Sequence, residues 1–230
     1  MKLTLALKKQ EAKDVLSYFF EPDEPLVWQA GQFLTYTLPH PNPDKRGIER
    51  HFTIASAPHE KHVMLTTRFS TQQPSSFKTA LYRLKVGDVI EAEGPEGDFT
   101  IENREDPQVF IAGGLGITPF RSILLDMEHR KLPMNIALFY ANRSEDFVFK
   151  GELDEIRSRH PEIDIRYFVT PARINEEEIA KDATAVFGQT SVFYISGPEP
   201  MIDIFYKILG GMGVLGFRVK RDYFPGYIWP

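Results

Sequence analysis

One stretch, residues 108–120, constrains the fold of this chain more than any other. Its four apolar residues Val109–Ala112 are typical of a parallel strand that is buried on both faces. Three glycines then allow a tight turn and a close approach of a ligand to main-chain N–H groups: Gly113, Gly114 and Gly116. A helix beginning at Thr118 or Pro119 would follow, with Thr118 as its cap and Pro119 in its first turn. The pattern predicts a phosphate site at a helix N-terminus, although a strand-to-helix turn without a ligand has the same local pattern.

Composition narrows the classes of function. The chain has 230 residues, enough for one large domain or two ordinary ones, and its formal net charge of −5 without a basic run disfavours nucleic acid as a partner. The absence of cysteine excludes disulfides, a thiolate nucleophile and a cysteine-bound iron–sulfur cluster within this chain. The start of the chain alternates like a strand, and no apolar stretch is long enough to cross a bilayer. We therefore expect a cytoplasmic protein without an integral membrane segment.

Short strand-like segments separated by turns occupy the first hundred residues and predict an antiparallel barrel or sandwich. The predicted strands are Lys2–Lys9, Val15–Phe20, Phe33–Leu38, His51–Ala55, Val63–Phe69 and Val89–Glu93. A helix over Ser75–Leu84 interrupts them, with Ser75 or Ser76 as its cap. A turn at Gly94–Asp98 and a last strand at Phe99–Ile101 complete this part.

The segment Arg50–Thr53 combines a guanidinium with an aromatic ring. In a strand, Arg50 and Phe52 point to one face, and His51 and Thr53 point to the other. The guanidinium can pair with a phosphate while the ring covers a flat ring system, which suits a flat cofactor that carries phosphate. A strand edge with a surface arginine and a core phenylalanine is the alternative.

Beyond the polar stretch 103–107, strands alternate with helices, which predicts a doubly wound parallel sheet. The predicted strands are Val109–Ala112, Ile136–Ala141, Ile163–Val169, Val192–Ser196 and Phe217–Lys220, and the helices are Pro119–Arg130, Lys150–His160, Glu176–Lys181 and Pro200–Leu209. We therefore expect two domains, 1–103 and 104–230, the second with a five-stranded sheet that binds a nucleotide.

Other motifs in the second domain differ in strength. The sequence 211–216 is a literal G-x-G-x-x-G, but it follows a predicted helix and precedes a strand, so we interpret it as a helix end. Ser196–Met201 lies at the carboxyl end of a strand, where open parallel sheets bind ligands, although Ser196 could simply cap a helix. Arg143 also follows a strand and could meet a cofactor phosphate or solvent. No metal site and no serine-nucleophile turn can be assembled from local spacing.

Taken together, these motifs resemble those of the ferredoxin–NADP⁺ reductase superfamily of flavin oxidoreductases, over essentially the whole chain. Arg50–Thr53 looks like the family's R-x-Y-S/T flavin motif, residues 113–119 like its G-G-x-G-I-T-P nucleotide motif, and Ser196–Met201 like its G-P-x-x-M element. Three further likenesses are the Gly31-Gln32 turn, Ser75–Phe77 with Gly87-Asp88, and the aromatic F-x-G-Y signature within Arg221–Tyr227.

For the first domain, the resemblance implies a flavin site. Arg50 would pair with the flavin phosphates, and Phe52 would pack on the isoalloxazine where the family usually has tyrosine, with His51 in the same motif. Thr53 would direct its hydroxyl toward flavin N5. Ser76, with Ser75, would hold pyrophosphate at a helix N-terminus.

For the second domain, the resemblance implies an NAD(P)H site. Its members would be Gly113, Gly114, Gly116, Thr118, Pro119, Gly197, Pro198 and Met201. Ser196 stands where several relatives carry cysteine near the nicotinamide. Apart from the resemblance, Arg143 could serve the 2′-phosphate of NADPH or no ligand at all. Phe224 or Tyr227 would cover the flavin or shape the nicotinamide pocket. Thr53, Ser196 and Tyr227 are the catalytic candidates.

The activity implied by the resemblance is hydride transfer from nicotinamide C4 to flavin N5, followed by electron transfer to a separate acceptor such as a ferredoxin, a rubredoxin or an oxygenase. FAD is expected rather than FMN, and NADH and NADPH both remain open as donors. Two alternatives are a reductase that uses free flavin as its substrate and a non-catalytic regulatory subunit that retains the fold.

Overall fold

The chain forms two compact units, Met1–Thr100 and Ile101–Pro230, each with its own hydrophobic core. The computed structural model describes residues 1–69, 75–102, 106–169, 176–188 and 190–223. The predicted fold class, an antiparallel β-barrel followed by an α/β unit with a five-stranded parallel sheet, is confirmed. Within the described residues, none of the helices combines the length and apolarity needed to cross a bilayer.

The first unit is a six-stranded antiparallel sheet. In chain order its strands are β1 (Lys2–Ala12), β2 (Val15–Pro22), β3 (Phe33–Thr37), β4 (Glu49–Thr53), β5 (Val63–Arg68) and β6 (Val89–Glu96), and their spatial order is β4-β3-β6-β1-β2-β5. Just after β4, the Ala55 N–H donates to the Met64 carbonyl of β5 at 2.8 Å. This bond joins the two edges and gives the sheet the character of a barrel.

Helix α1 (Ser76–Arg83) covers part of the core of this barrel. Its buried residues Phe77 and Leu81 are four apart and therefore lie on one face of the helix. They pack among inward-facing strand residues such as Leu34, Tyr36 and Leu65. The helical spacing in the sequence predicts this helix to within one residue at each end.

Two predictions near residue 95 are wrong. Residues 94–96 belong to β6 rather than to a turn, because a bulge opposite β3 absorbs Gly94 and Pro95: Phe33 pairs with Glu96, and Thr35 pairs with Glu93. Phe99–Ile101 forms no strand. Strands β3 and β6 are each paired with a strand on both sides, so neither offers a free edge to Phe99–Ile101. Phe99 is instead buried as a single apolar residue.

The second unit is a parallel sheet with helices between its strands. The strands are β7 (Gln108–Gly113), β8 (Ile136–Asn142), β9 (Asp164–Val169), β10 (Val192–Gly197) and β11 (Val219–Tyr223), and the helices are α2 (Ile117–His129), α3 (Lys150–Arg159), α4 (Glu176–Phe187) and α5 (Glu199–Gly211). The spatial order is β11-β10-β7-β8-β9. Every residue of β7 and β8 is buried, as expected for strands covered on both faces.

Several boundaries in this unit differ from those predicted. Helix α2 begins at Ile117, earlier than Thr118 or Pro119, since a 3-10 turn over Gly114–Gly116 leads directly into it. Helix α4 runs to Phe187 rather than ending at Lys181, because no helix breaker precedes Gly188. The G-x-G-x-x-G sequence 211–216 lies at the end of α5 and before β11, as its context in the sequence predicts.

Candidate functional site

In the first unit, β4 and α1 bring a guanidinium and two aromatic rings together. Arg50 and Phe52 lie on one face of β4, and both contact Phe77 of α1. The guanidinium carbon of Arg50 lies 5.4 Å from the centre of the Phe77 ring, and the Phe52 and Phe77 ring centres are 6.0 Å apart. The alternation expected for a strand therefore places these two predicted site residues side by side.

The neighbouring strand positions have different surroundings. His51 is exposed on the opposite face of β4, where its Nδ1 lies 2.9 Å from the Thr35 hydroxyl and its ring meets Phe33 edge-on. Thr53, the last residue of β4, is buried and pairs with Phe33 of β3. The structure thus separates the His51 side chain from the Arg50 and Phe52 side chains.

The N-terminus of α1 carries both predicted serines. The Ser75 hydroxyl caps the helix by accepting a hydrogen bond from the Lys78 N–H at 3.1 Å. The Ser76 hydroxyl accepts a bond from the Asp44 N–H at 2.8 Å, and the Ser76 N–H donates to Asp44 Oδ2 at 3.1 Å. Asp44 and Ser76 therefore bind each other reciprocally at the positive end of the helix.

Asp44 also binds Arg50, which sequence reasoning missed. Arg50 Nη2 donates to Asp44 Oδ1 at 3.0 Å, and the Arg46 N–H donates to the same oxygen at 2.9 Å. Burial acts to raise the pKa of the Asp44 carboxyl, but the N–H groups of Arg46 and Ser76 and the charges of Arg46 and Arg50 outweigh it and hold that pKa well below its usual range. Asp44 is 32 residues from Ser76, so no local pattern in the sequence indicates their contact.

The remaining donors of Arg50 show that this group of residues fits an anion. Nη1 donates to the carbonyls of Arg46, Gly47 and Glu49. Nε is buried and has no hydrogen-bond partner within the described part of the chain. A guanidinium with an unused donor beside a helix N-terminus is the donor set that binds phosphate oxygens, so these residues fit a ligand that carries phosphate.

In the second unit, the candidate site lies where the order of the sheet reverses. From β7, the chain adds β8 and β9 on one side and then β10 and β11 on the other. At such a switch point, the loops after two adjacent parallel strands leave a crevice at their carboxyl ends, where ligands bind. The carboxyl ends of β7 and β10, with the residues that follow them, carry Gly113–Gly116 and Ser196–Met201, so the structure brings both predicted motifs together.

The glycines between these loops are required by packing. A Cβ on Gly116 would lie 2.0 Å from the Ser196 carbonyl oxygen and 2.7 Å from the Gly197 nitrogen. A Cβ on Gly113 would lie 2.5 Å from the sulfur of Met201, and Met201 would equally obstruct a side chain on Gly197. At Gly116 the obstructing atoms are backbone atoms, so a side chain is excluded there and the two segments lie against each other. At Gly113 and Gly197 the nearest atoms belong to the flexible Met201 side chain, which would have to shift.

Gly114 differs from the other glycines of its loop. Its φ is +55°, which favours glycine, and a Cβ placed on it would meet nothing within 4 Å. The next polar group, the Thr118 hydroxyl, donates to the Leu115 carbonyl at 3.0 Å. The prediction that Thr118 caps α2 is therefore wrong, because its oxygen acts as a donor inside the first turn. Thr118 and Pro119 are both buried.

Ser196 lies at the end of β10 and is completely buried. Its hydroxyl donates to Asp222 Oδ2 of β11 at 3.3 Å, and the two residues are direct partners in the parallel ladder. Ser196 is therefore not the cap of α5, since the residue at that position is Pro198. The alternative reading of Ser196 as a simple helix cap is wrong.

Arg143 follows β8 and is exposed. The helix that follows this loop, α3, is joined to α2 by Arg121, a buried residue whose Nη2 and Nε lie 2.7 and 2.8 Å from Glu152 Oε2 of α3. The Arg121 guanidinium also lies 5.3 Å from the ring of Phe149, which adopts a φ of +63° at the start of α3. The sequence does not indicate Arg121, because its partner is 31 residues away. The predicted residues Phe224 and Tyr227 lie outside the described residues.

Comparisons with known proteins agree with this architecture. Residues 110–207 match the family described as the oxidoreductase NAD-binding domain. The reductase component of phenol 2-monooxygenase from Pseudomonas sp. (strain CF600) is 31% identical over 226 residues, covering 88% of this chain and 58% of that protein. A flavohemoprotein from Candida albicans is 30% identical, over 95% of this chain and 58% of its own length. The chain therefore spans little more than half the length of these curated relatives.

Among solved structures, a mutant ferredoxin-NADP+ reductase from Plasmodium falciparum superimposes with a TM-score of 0.83 at 19% identity. The match covers 97% of this chain and 95% of that chain. At this level of identity the likeness establishes the arrangement of strands and helices in both units.

Proposed function

The chain belongs to the ferredoxin–NADP⁺ reductase superfamily, and from this premise we propose that it is an NAD(P)H-dependent flavin oxidoreductase that delivers electrons to a separate acceptor. The observation that carries the proposal is that Gly113–Gly116 and Ser196–Met201 meet at the switch point of the parallel sheet, and that residues 110–207, which include both segments, match an NAD-binding family. The donors of Arg50 and of the N-terminus of α1, which fit a phosphate, support the proposal that the protein also binds a flavin.

We assign flavin binding to residues 1–103 and nucleotide binding to residues 104–230. In the first part, Arg50 and Ser76 would hold phosphate, and Phe52 would lie against the flavin ring, with Thr53 at the end of the same strand. FAD suits this part better than FMN, since a helix N-terminus beside a guanidinium can hold a pyrophosphate.

In the second part, the residues of this chain bind and orient the nucleotide. Gly114 offers open space beside its backbone, and Gly116 keeps the loop after β7 in contact with Ser196. The Ser196 hydroxyl is held by Asp222, so we infer a role in shaping the end of the crevice rather than in moving a proton. When bound, nicotinamide and flavin would supply the chemistry, a hydride passing from nicotinamide C4 to flavin N5. No protein acid or base is needed for that hydride step.

The acceptor is proposed to be a separate protein. One relative is named as the reductase component of a monooxygenase, which supports an oxygenase or an electron carrier as the acceptor of this chain too. We also propose that the protein works in the cytoplasm.

A second candidate function is reduction of free flavin as a substrate. It is favoured by the Arg50 guanidinium, which is already engaged by Asp44 and by three carbonyls, as expected for a site from which flavin exchanges readily. The dissociation constant of the flavin separates the candidates, because a resident cofactor stays bound during dilution and a substrate does not.

The test is the visible spectrum of the purified protein, recorded without oxygen before and after NADH or NADPH is added. We expect a flavin spectrum that bleaches with at least one nucleotide. A protein that binds neither FAD nor FMN would contradict the proposal and would favour a non-catalytic subunit.

The donor can be assigned with Arg143→Ala. If Arg143 binds the 2′-phosphate, its loss should raise KM for NADPH by about tenfold or more and leave KM for NADH unchanged. Arg130→Ala is the matched control. Arg130 is an exposed arginine that is paired with Asp126 and follows the C-terminus of α2, whereas Gly113–Gly116 precedes its N-terminus. Equal effects on both nucleotides would exclude the phosphate role.

A further inference from the structure

We propose that Asp44 is an internal competitor for the flavin phosphate: its carboxylate holds Arg50 and the N-terminus of α1, and a bound phosphate takes its place. This inference rests on the proposed flavin site and identifies a residue that determines its affinity. It concerns the Asp44 loop, defined here as Pro39–Ile48 between β3 and β4.

The Asp44 carboxylate lies between Arg50 and the N-terminus of α1. Asp44 Oδ2 accepts the Ser76 N–H at 3.1 Å, and Asp44 Oδ1 accepts Arg50 Nη2 at 3.0 Å. These two donors belong to the residues that the proposed function assigns to the flavin phosphates. A carboxylate that joins an arginine to a helix N-terminus occupies the place of a phosphate and satisfies the same groups.

The Arg50 guanidinium uses two of its three nitrogens as donors to the described residues. Two-pronged binding of an oxyanion uses a pair of adjacent N–H groups, and Nε with Nη2 forms such a pair. Nη1 is taken by the carbonyls of Arg46, Gly47 and Glu49, and Nη2 is taken by Asp44, while Nε is buried and has no partner among the described residues. Displacement of Asp44 would therefore free Nη2, so that Nε and Nη2 would both be available to one oxyanion.

The negative charge of Asp44 opposes a phosphate at the same place. The contacts with Arg46, Arg50 and Ser76 keep Asp44 ionised, so a phosphate that binds beside it would face a like charge at close range. Phosphate can avoid that repulsion only if Asp44 moves away. Much of the Asp44 loop is exposed, so the Asp44 side chain has room to move. The loop backbone is held by the bond from the Leu38 N–H to the Ile48 carbonyl at its base and by the bond from the Gly47 N–H to the Asp44 carbonyl within it.

A rival role makes the opposite prediction. If Asp44 stays in place and orients Arg50 toward the phosphate, loss of the carboxylate would weaken flavin binding. The sign of the change in affinity therefore separates competition from support.

The first experiment compares the Kd of FAD for the wild-type apoprotein and for Asp44→Asn, by titration of flavin fluorescence. Asparagine keeps an oxygen that can accept the Arg46 or Ser76 N–H but removes the charge. We expect the Kd to fall by about tenfold. Asp23→Asn is the control, since the Asp23 carboxylate accepts the Lys2 N–H in the same unit and does not touch Arg50 or Ser76. An unchanged or higher Kd for Asp44→Asn would overturn the proposal.

The second experiment needs no variant. Amide hydrogen exchange of the wild-type protein is measured with and without FAD, and with and without inorganic pyrophosphate. Displacement of Asp44 releases the N–H groups of Arg46 and Asp44 from their partners, so exchange within residues 39–48 should become faster on binding. Slower or unchanged exchange in this segment while FAD is bound would support the rival role and overturn ours.

The outcomes also distinguish this inference from the proposed function. If neither flavin binds the wild-type protein or the Asp44→Asn variant, the flavin site itself fails. If FAD binds and is reduced, but Asp44→Asn binds it more weakly, the proposed function stands and only the competitor role is wrong.

Discussion

At the scale of single residues, Gly116 is the position where one added carbon should do the most damage. The Cβ of an alanine would lie 2.0 Å from the Ser196 carbonyl oxygen and 2.3 Å from its carbon, and backbone atoms cannot move aside as a flexible side chain can. We expect Gly116→Ala to cost about 3 kcal/mol of unfolding free energy. Urea denaturation measures this loss, and nucleotide binding should weaken with it.

Gly151→Ala is the control for this prediction. Gly151 lies in the first turn of α3, and a Cβ there would meet nothing within 4 Å. The substitution should leave the unfolding free energy unchanged or raise it by about 0.5 kcal/mol, because alanine favours the helix. If Gly116→Ala were as stable as Gly151→Ala, the close approach of the loops after β7 and β10 would be wrong.

The sequence indicated the glycine turn and the strand face shared by Arg50 and Phe52, because both follow from local spacing. It did not reveal why Gly116 must be glycine, since Ser196 is far away along the chain. Asp44 escaped notice for the same reason. A lone aspartate in a proline-rich loop has no pattern, and its importance depends entirely on the partners that folding supplies.

At the scale of secondary-structure elements, Glu128 joins the end of α2 to the end of α3. Arg159 donates to both of its carboxylate oxygens, at 2.7 and 3.0 Å, and His160 Nε2 lies 3.1 Å from one of them. These hydrogen bonds from Arg159, together with its charge and with His160, outweigh partial burial and lower the pKa of the Glu128 carboxyl. The contact with Arg159 should therefore stabilise the ionised form of the Glu128 carboxyl.

Glu128→Gln should lower the unfolding free energy by about 1 kcal/mol or less, because Arg159 is half-exposed. A lowered pKa in the folded state means that the stabilisation is complete above the ordinary glutamate pKa of about 4.3 and is lost as the pH falls below it. The difference between wild type and variant should thus be present at pH 6 and shrink below about pH 4. Urea titrations at both values measure it.

Glu177→Gln removes a carboxylate from an exposed pair with Lys181 on α4 and should have almost no effect at either pH. A Glu128→Gln variant whose stability difference from wild type persisted at pH 3 would show that the contact does not depend on ionisation. Such a result would point to a packing role for the side chain instead.

Most elements could be predicted because their hydrophobic period is visible within ten residues. The two failures in the first unit, at Gly94-Pro95 and at Phe99–Ile101, share one cause, which is pairing between strands. Whether Phe99–Ile101 becomes a strand depends on a free neighbour, and whether Gly94-Pro95 ends β6 depends on what β3 can accommodate through a bulge. Neither condition is written in the segment itself.

At the scale of the whole molecule, the two units should respond to different ligands. FAD added alone should slow amide hydrogen exchange mainly in Met1–Thr100, outside the Asp44 loop, and NADH or NADPH mainly in Ile101–Pro230. The reason is that binding to the folded state suppresses opening of the structure that holds the ligand, by about 2.7 kcal/mol at a hundredfold excess over Kd. Mass spectrometry of peptides from each unit measures both effects.

AMP serves as the control ligand, since it carries a nucleotide phosphate but no flavin or nicotinamide. It should protect peptides of the second unit around Gly113–Gly116 and leave the barrel strands unaffected. Protection of the barrel by NADH in the absence of flavin would contradict the assignment of one ligand to each unit.

The order β11-β10-β7-β8-β9 also has a consequence for biosynthesis. Gly116 and Ser196, the two sides of the proposed nucleotide site, are neighbours in space but are separated by roughly 80 residues that must be made in between. A ribosome that has released the Gly113–Gly116 segment has therefore produced only half of the proposed site. The nascent chain must wait until β10 emerges before a nucleotide can be held, whereas all six barrel strands are available much earlier.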